Sequence, residues 1–160
     1  MSDSSQSAHA IDEMTRALLG TWYLREAFAV DPNGQRLYDV YGARPSGVIH
    51  YGDDRRMIAL ITHEGRPRLN GDRQAAPERE RAAAYKSSIA YAGGFELDGE
   101  WVKHNIDIST YPNWVGVTLL RQVRIENGSI ILLTAPQLQD GIKTVIKLVW
   151  RRKPVDSITP

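Results

Sequence analysis

Apolar and polar side chains alternate through much of this chain, and this alternation restricts the possible fold more than any other feature. The pattern is clearest over residues 101–109, where one face carries Val102, His104, Ile106 and Ile108. Polar residues occupy most of the positions between them. A period of two is typical of a β-strand with one buried face. Residues 117–126 repeat the pattern, so we predict two neighbouring strands here.

Short turns that contain glycine separate the alternating segments. Asp98-Gly99 and Asn127-Gly128 flank these two strands, and both dipeptides favour the tight turns of β-hairpins. Similar breaks predict eight to ten strands, the others lying at residues 21–30, 36–40, 48–51, 57–62, 91–97, 129–135 and 142–152. Strands linked mostly as hairpins indicate an all-β fold. An antiparallel up-and-down β-barrel explains them best, because closure removes the exposed edges of an open sheet.

Two segments depart from the strand pattern. Apolar residues at helical spacing predict a short N-terminal helix over residues 10–19, which ends at Gly20. Residues 78–89 predict a second helix, with Tyr85 and the preceding alanines facing the body of the protein, and we interpret it as a lid or cap. Residues 1–9 and 154–160 are predicted to be tails, the first of them disordered. The remainder, residues 10–153, is expected to form a single domain.

The composition limits the possible functions. The 160 residues include no cysteine and carry a formal net charge of +1. These values exclude disulfides and argue against a nucleic-acid partner. The four histidines lack the spacing of metal ligands, so we expect no metal and no cofactor. No apolar run is long enough to span a membrane and the N-terminus lacks the features of a secretory signal, so a cytoplasmic protein with no membrane partner is expected.

Three ionisable side chains fall on predicted apolar faces, where each would cost free energy unless it met a partner or a ligand. His104 is either a core histidine satisfied by a hydrogen bond or an acid/base group inside a pocket. Arg121 either pairs with Glu26 across the interior or stabilises a carbonyl, carboxylate or enolate oxygen. Glu26 is alternatively a base whose pKa is raised by a dry environment.

Motifs at both ends of the predicted barrel resemble those of lipocalins. Gly20-Thr21-Trp22 resembles the lipocalin opening motif, and Trp150-Arg151-Arg152 resembles its partner on the last strand. In lipocalins an arginine from the last strand packs over the first tryptophan. Arg152 is the candidate here because it shares a strand face with Trp150.

The similarity to the bacterial and fungal lipocalin-like domain family extends over about residues 18–152. It rests on an ordered set of motifs that includes Tyr41-Gly42, Tyr91-Ala92-Gly93 and Pro112-Asn113-Trp114 followed by Gly116. One departure is Arg55, at a hairpin position where the family usually has glycine.

The resemblance implies a β-barrel with a central pocket that binds a small, largely apolar organic molecule. Some similar barrels catalyse cofactor-free isomerisations or cyclisations in biosynthetic pathways. Our leading hypothesis is therefore cofactor-independent isomerisation, cyclisation or dehydration of a biosynthetic or catabolic intermediate. The predicted catalytic residues are His104, Arg121 and Glu26, and the predicted ligand-binding residues are Tyr51, Tyr91, Phe28, Trp114, Asn113 and Leu119. The alternatives are a non-catalytic carrier or sensor of lipocalin type and an interaction module with a filled core, each as a monomer or a homodimer.

Overall fold

The computed structural model describes residues 3–139 and 141–153 of the chain. The predicted tail at residues 154–160 lies outside the described residues, as do residues 1 and 2. The elements are, in chain order, α1 (Asp3–Leu18), β1 (Gly20–Val30), β2 (Arg36–Asp39), β3 (Ser46–Tyr51), β4 (Arg56–Thr62), α2 (Glu78–Lys86), β5 (Ser88–Asp98), β6 (Trp101–Ser109), a 3-10 helix (Pro112–Trp114), β7 (Thr118–Glu126), β8 (Ser129–Thr134), β9 (Gln137–Gln139) and β10 (Ile142–Arg151).

Eight strands close into an antiparallel barrel in the order β1-β3-β4-β5-β6-β7-β8-β10, and β10 pairs again with β1. This confirms the predicted barrel. The two remaining strands are short and each pairs with one neighbour, β2 with the second half of β1 and β9 with the start of β10. These two halves are themselves paired, Val30 opposite Val145, so β2 and β9 lie at the same end of the barrel. We call this end the mouth and the opposite end the floor.

Arg152 closes the floor. Its guanidinium carbon lies 3.8 Å from the centre of the Trp22 ring, which is the contact that the resemblance to lipocalins implies. The same guanidinium donates hydrogen bonds to the carbonyl oxygens of Leu19, at 2.5 Å, and Ala17, at 2.8 Å. The indole of Trp22 donates to the carbonyl oxygen of Leu18 at 2.8 Å. The hydrogen bonds at the floor therefore connect the C-terminal end of helix α1 to the first strand through Trp22 and to the end of the last strand through Arg152.

Gly20 allows the arginine to approach. Its φ angle is +102°, and a Cβ atom at this position would lie 2.6 Å from Nη1 of Arg152. Any other residue would be strained in this conformation and would push the guanidinium away from the floor. This explains the glycine of the Gly-x-Trp motif by local geometry.

A β-bulge at Arg25 reverses the faces of β1. The pairing with β10 advances from Leu24 to Glu26, so Arg25 is the extra residue of the bulge and the alternation shifts by one. Beyond the bulge Ala27 is buried, whereas Glu26 is exposed and Phe28 turns away from the interior. The prediction that Glu26 and Phe28 face the barrel interior is therefore wrong.

A second register shift lies in β6. Ile106 pairs with Gly93 and Ile108 pairs with Ala92, so the extra residue is Asp107. As a result Ile108 is 64% exposed rather than part of the apolar face on which the alternation places it.

Both helices differ from their predicted extents. Helix α1 begins at Asp3 rather than at residue 10, because no glycine or proline interrupts the segment that the sequence predicts as a tail. Helix α2 ends at Lys86, and the residues that follow it, from Ser88 on, pair with β4 instead. None of the α2 residues is buried, and Tyr85 is 53% exposed, so the predicted packing of this face against the body is wrong.

The predicted hairpin turns are present, and one of them places a non-glycine residue in a left-handed conformation. Gly99, Asn127 and Gly128 have the positive φ angles that tight hairpins require. Arg55, in the β3–β4 hairpin, has a φ angle of +65°. This conformation is unfavourable for a residue with a Cβ atom. Glycine, which lipocalin-like sequences usually have at this position, adopts it without strain.

We therefore expect the substitution Arg55→Gly to stabilise the protein by about 0.5–1 kcal/mol, the relief of backbone strain exceeding the added entropy of the unfolded chain. Urea denaturation measures the change. Asp53→Gly in the same turn is the matched control, because Asp53 has no positive φ angle, and it should be neutral or destabilising. Equal effects of the two substitutions would contradict the explanation.

Candidate functional site

The barrel contains a cavity of about 620 Å³ that extends from the mouth to Trp150. Strands β2 and β9 contribute Tyr38 and Gln137 at the mouth. The apolar lining comes from Val40, Ile61, Ile89, Leu119, Leu120, Leu132, Ala135, Ile146 and Leu148. Aromatic rings and a few polar groups complete it, namely Tyr38, Tyr41, Tyr91, Trp114, Trp150, Thr118, Arg121, Thr134 and Gln137. A concave, mostly apolar lining with a small number of polar groups is typical of small-molecule sites.

Four of the predicted site residues line this cavity: Tyr91, Trp114, Leu119 and Arg121. The Tyr91 and Trp114 rings meet edge to face, with centroids 5.3 Å apart and an interplanar angle of 87°. This is a favourable aromatic geometry and fixes both rings in the wall. Trp114 reaches the cavity from the 3-10 helix, so the Pro-Asn-Trp motif supplies a lining residue from outside the strands.

His104 lies behind the cavity wall rather than in it. Its side chain is fully buried, and its Nε2 atom shares a 2.8 Å hydrogen bond with the hydroxyl of Tyr51, which is also fully buried. The His104 ring centroid lies 6.1 Å from that of Tyr91, which does line the cavity. Nδ1 of His104 has no hydrogen-bond partner among the described residues. Tyr51 and His104 therefore form a buried pair that neighbours the cavity through Tyr91.

Both members of this pair are electrically neutral. Burial, with a smaller contribution from the charge of Arg121, lowers the pKa of His104 to about 3. Burial also raises the pKa of Tyr51 well above its ordinary value. The hydrogen bond thus joins an uncharged imidazole to an uncharged phenol, and at neutral pH neither group supplies a charge to the cavity.

Arg121 is half-buried in the wall formed by β7. Its Nη1 donates to the carbonyl oxygen of Leu120 at 3.0 Å. The predicted pairing with Glu26 is wrong, because Glu26 lies on the outer face, where its carboxylate accepts a hydrogen bond of 3.1 Å from Arg36. Within residues 3–139 and 141–153, Arg121 forms no ion pair.

Three predicted ligand-binding residues lie outside the cavity: Phe28, Asn113 and Tyr51, the last of which is buried behind the wall with His104. Phe28, turned outward by the bulge, packs beneath the Arg36 guanidinium, whose carbon lies 4.0 Å from the ring centre. Asn113 is exposed in the 3-10 helix, and its amide donates to the hydroxyl of Tyr111 at 3.1 Å. None of the three side chains lines the cavity.

Several lining residues were not predicted as site residues. Tyr41 comes from the loop before β3, and burial raises its pKa to about 12, so its hydroxyl stays protonated. Ile146, Leu148 and Trp150 come from β10. They occupy alternate positions on one face of this strand, and this alternation is the sequence signal that could have identified them as lining residues. Tyr38 and Gln137 lie on the two short strands of the mouth, and nothing in their local sequence indicates that position.

Helix α2 contributes nothing to the lining of the barrel cavity in the described part of the chain. Together with the segment that begins at His63 it borders a separate cleft beside the barrel. The interpretation of α2 as a lid over the pocket is therefore not supported by its position.

Over the described ranges, no group of three or more histidine, aspartate or glutamate side chains is arranged to hold a metal ion. Neither described helix combines the length and the apolar character needed to cross a membrane.

The closed barrel and its internal cavity define a lipocalin-like protein, and the family comparison agrees. The model of the lipocalin-like domain family matches residues 19–153, so the chain belongs to this family. It is similar to the 4'-hydroxy-3'-methoxypropiophenone carrier protein ppsC of Aspergillus oryzae (strain ATCC 42149 / RIB 40). The two are 34% identical over 108 residues, which cover 61% of this chain and 97% of that protein.

Two solved structures also match. A lipocalin-like protein from Bacteroides uniformis ATCC 8492 is 15% identical, with a TM-score of 0.44 over 86% of this chain and 99% of that one. An asparagine-to-alanine mutant of the fluorescent protein UnaG is 14% identical, with a TM-score of 0.41 over 88% of this chain and 99% of that one.

The burial of a neutral His104 should make the stability of the fold depend on pH. The pKa falls from its ordinary value of 6.5 to about 3 on folding, so between these values the unfolded chain binds a proton that the folded protein does not. This contribution to stability is complete above pH 6.5 and is lost as the pH falls. We expect the free energy of unfolding to decrease as the pH falls, with a slope of about 0.7 kcal/mol per pH unit at pH 6.5 that approaches about 1.4 kcal/mol per pH unit toward the middle of this window.

Urea denaturation just below pH 6.5, above the range in which carboxylates titrate, isolates this effect. The variant His104→Gln should lose the slope, whereas His50→Gln, which removes an exposed imidazole, should retain it. An unchanged slope in His104→Gln would show that another group causes the pH dependence.

Proposed function

We propose that this protein binds a small, largely apolar organic molecule in its barrel and carries it chemically unchanged. The observation on which the proposal rests is the cavity of about 620 Å³, open at the mouth and lined mainly by aliphatic and aromatic side chains. This volume lies within the usual range of small-molecule sites. A cavity of this size also argues against an interaction module with a filled core.

The chemistry of the lining favours an aromatic ligand with a few polar substituents. The rings of Tyr91, Trp114 and Trp150 offer apolar faces and edges. The hydroxyl oxygen of Thr134 accepts a hydrogen bond from the backbone of Ile146 and can still donate its proton to a ligand. The similar protein ppsC is named as the carrier of an aryl ketone that bears hydroxyl and methoxy groups. We infer a ligand of comparable size and polarity here.

The positions of the predicted acid and base favour a carrier over a cofactor-independent isomerase, cyclase or dehydratase. A general acid or base must lie within hydrogen-bond reach of its substrate, directly or through one water. His104 is fully buried behind the lining, and Glu26 is on the outer face of the barrel. Of the three predicted catalytic residues only Arg121 lines the cavity, and an arginine does not exchange protons at neutral pH.

Isothermal titration calorimetry with 4'-hydroxy-3'-methoxypropiophenone tests the proposal, and we expect saturable binding of one molecule per barrel. In the variant Leu119→Trp a larger side chain occupies part of the cavity, and the affinity should fall roughly tenfold or more. The matched variant Ile58→Trp adds the same side chain at a position that is 54% exposed, and its affinity should equal that of the wild type.

Mass spectrometry of the recovered compound separates the two functions. A carrier returns the probe unaltered after prolonged incubation, and native mass spectrometry of freshly purified protein should show any co-purified compound at its intact mass. Conversion of the probe to an isomer or a dehydrated product would support catalysis instead. An absence of binding, or equal affinities of the Leu119→Trp and Ile58→Trp variants, would contradict a site in the barrel.

A further inference from the structure

The described residues place one charge in the cavity. Within residues 3–139 and 141–153, Arg121 is the single formally charged side chain in the lining, and the other titratable groups there are the phenols of Tyr38, Tyr41 and Tyr91. The residues opposite Arg121 on the neighbouring strands, Val102 on β6 and Thr134 on β8, are uncharged. The wall around the guanidinium therefore provides no counter-charge in the described part of the chain.

The guanidinium also has unused hydrogen-bond donors. An arginine presents five N–H donors, and the hydrogen bond to the carbonyl oxygen of Leu120 uses one of them. Three arginines on the surface behave differently. Arg36, Arg44 and Arg56 are exposed, and each pairs with a carboxylate. These three surface arginines are thus neutralised where pairing contributes little, whereas the half-buried Arg121 has no anion among the described residues.

The charge of Arg121 acts throughout the interior. It contributes to the lowered pKa of His104, and it opposes the rise in the pKa of Tyr41 and of Tyr51 that burial causes. Each of these effects has the sign expected of a positive potential in the cavity. Such a potential favours the ionised form of any acidic group that binds there.

We infer that the cavity takes its ligand as an oxyanion, with an ionised oxygen held by Arg121 and an apolar, preferably aromatic, body toward Trp150. A phenolate, an enolate or a carboxylate would each satisfy this description. A neutral acceptor would occupy one donor and leave the cation uncompensated, whereas an oxyanion supplies both the acceptor and the charge. The inference rests on the proposed function, because it concerns the ligand of the same cavity.

Two probes of nearly equal shape test the inference. 4-Nitrophenol ionises near neutral pH and its phenolate is coloured, so its pKa can be read by absorbance in the bound state. 4-Nitroanisole replaces the ionisable hydroxyl with a methoxy group. In the wild type we expect the pKa of bound 4-nitrophenol to fall by about one unit or more, as for an acid placed beside a cation.

The variants assign the effect to Arg121. Arg121→Gln should abolish the fall, leaving the pKa of the bound phenol at or above its value in water because burial then acts alone, and weaken phenolate binding roughly tenfold, while 4-nitroanisole binds as to the wild type. Arg121→Lys should restore much of the shift because it restores the charge. Arg124→Gln is the matched control, since it removes the same charge from an exposed position on the same strand, and it should behave as the wild type.

The possible results separate this inference from the proposed function. Binding of both probes with no pKa shift in the wild type would overturn the oxyanion inference and leave a carrier of neutral molecules. An undiminished shift in Arg121→Gln would also overturn it, by assigning the effect to another group. Failure of the wild type to bind either probe would count against the proposed function itself, and the inference would fall with it. The wild-type titration decides the matter even if a variant does not fold.

Discussion

The contact between the first and last strands, sealed by Arg152 over Trp22, is the interaction on which the rest of this structure depends. It joins β1 to β10 and turns a sheet with two free edges into a barrel with a concave interior. The same guanidinium donates hydrogen bonds to the carbonyl oxygens of Ala17 and Leu19 at the end of helix α1, where a positive charge is favourable. Without this closure no cavity would exist around Arg121.

Local features were readable from the sequence because their causes are local. Alternation, the Asn127-Gly128 turn and the Gly-x-Trp motif each reflect a constraint within a few residues, and each led to a correct element. The bulge at Arg25 left no such signal, because one extra residue changes the register without changing the composition of the strand. Beyond the bulge the inward-facing and outward-facing positions of β1 are exchanged. For this reason the alternation alone places Glu26 and Phe28 on the inner face, whereas the structure has them on the outer face.

The site was harder to predict than the fold because alternation gives the face of a strand but not the depth of a residue along the barrel axis. His104 was expected inside and is inside, yet it lies behind the lining, next to a tyrosine from a strand that is not its neighbour in the sheet. Depth depends on the stagger of all eight strands, which no single segment encodes. Tyr41 and Gln137 were equally hard to predict as lining residues. The packing of a loop and a short strand, which the local sequence does not encode, brings them to the cavity.

The way in which β2 and β9 are attached has a consequence for kinetics. Each is only three or four residues long and is bonded to one neighbour, yet each contributes a side chain to the entrance, Tyr38 and Gln137. Detaching such a strand breaks few hydrogen bonds and leaves the eight-stranded ladder intact. Opening the entrance therefore costs only the free energy of detaching one short strand, which is smaller than the free energy of unfolding the whole barrel. The residence time of a guest can therefore be tuned at these two strands independently of the melting temperature of the barrel.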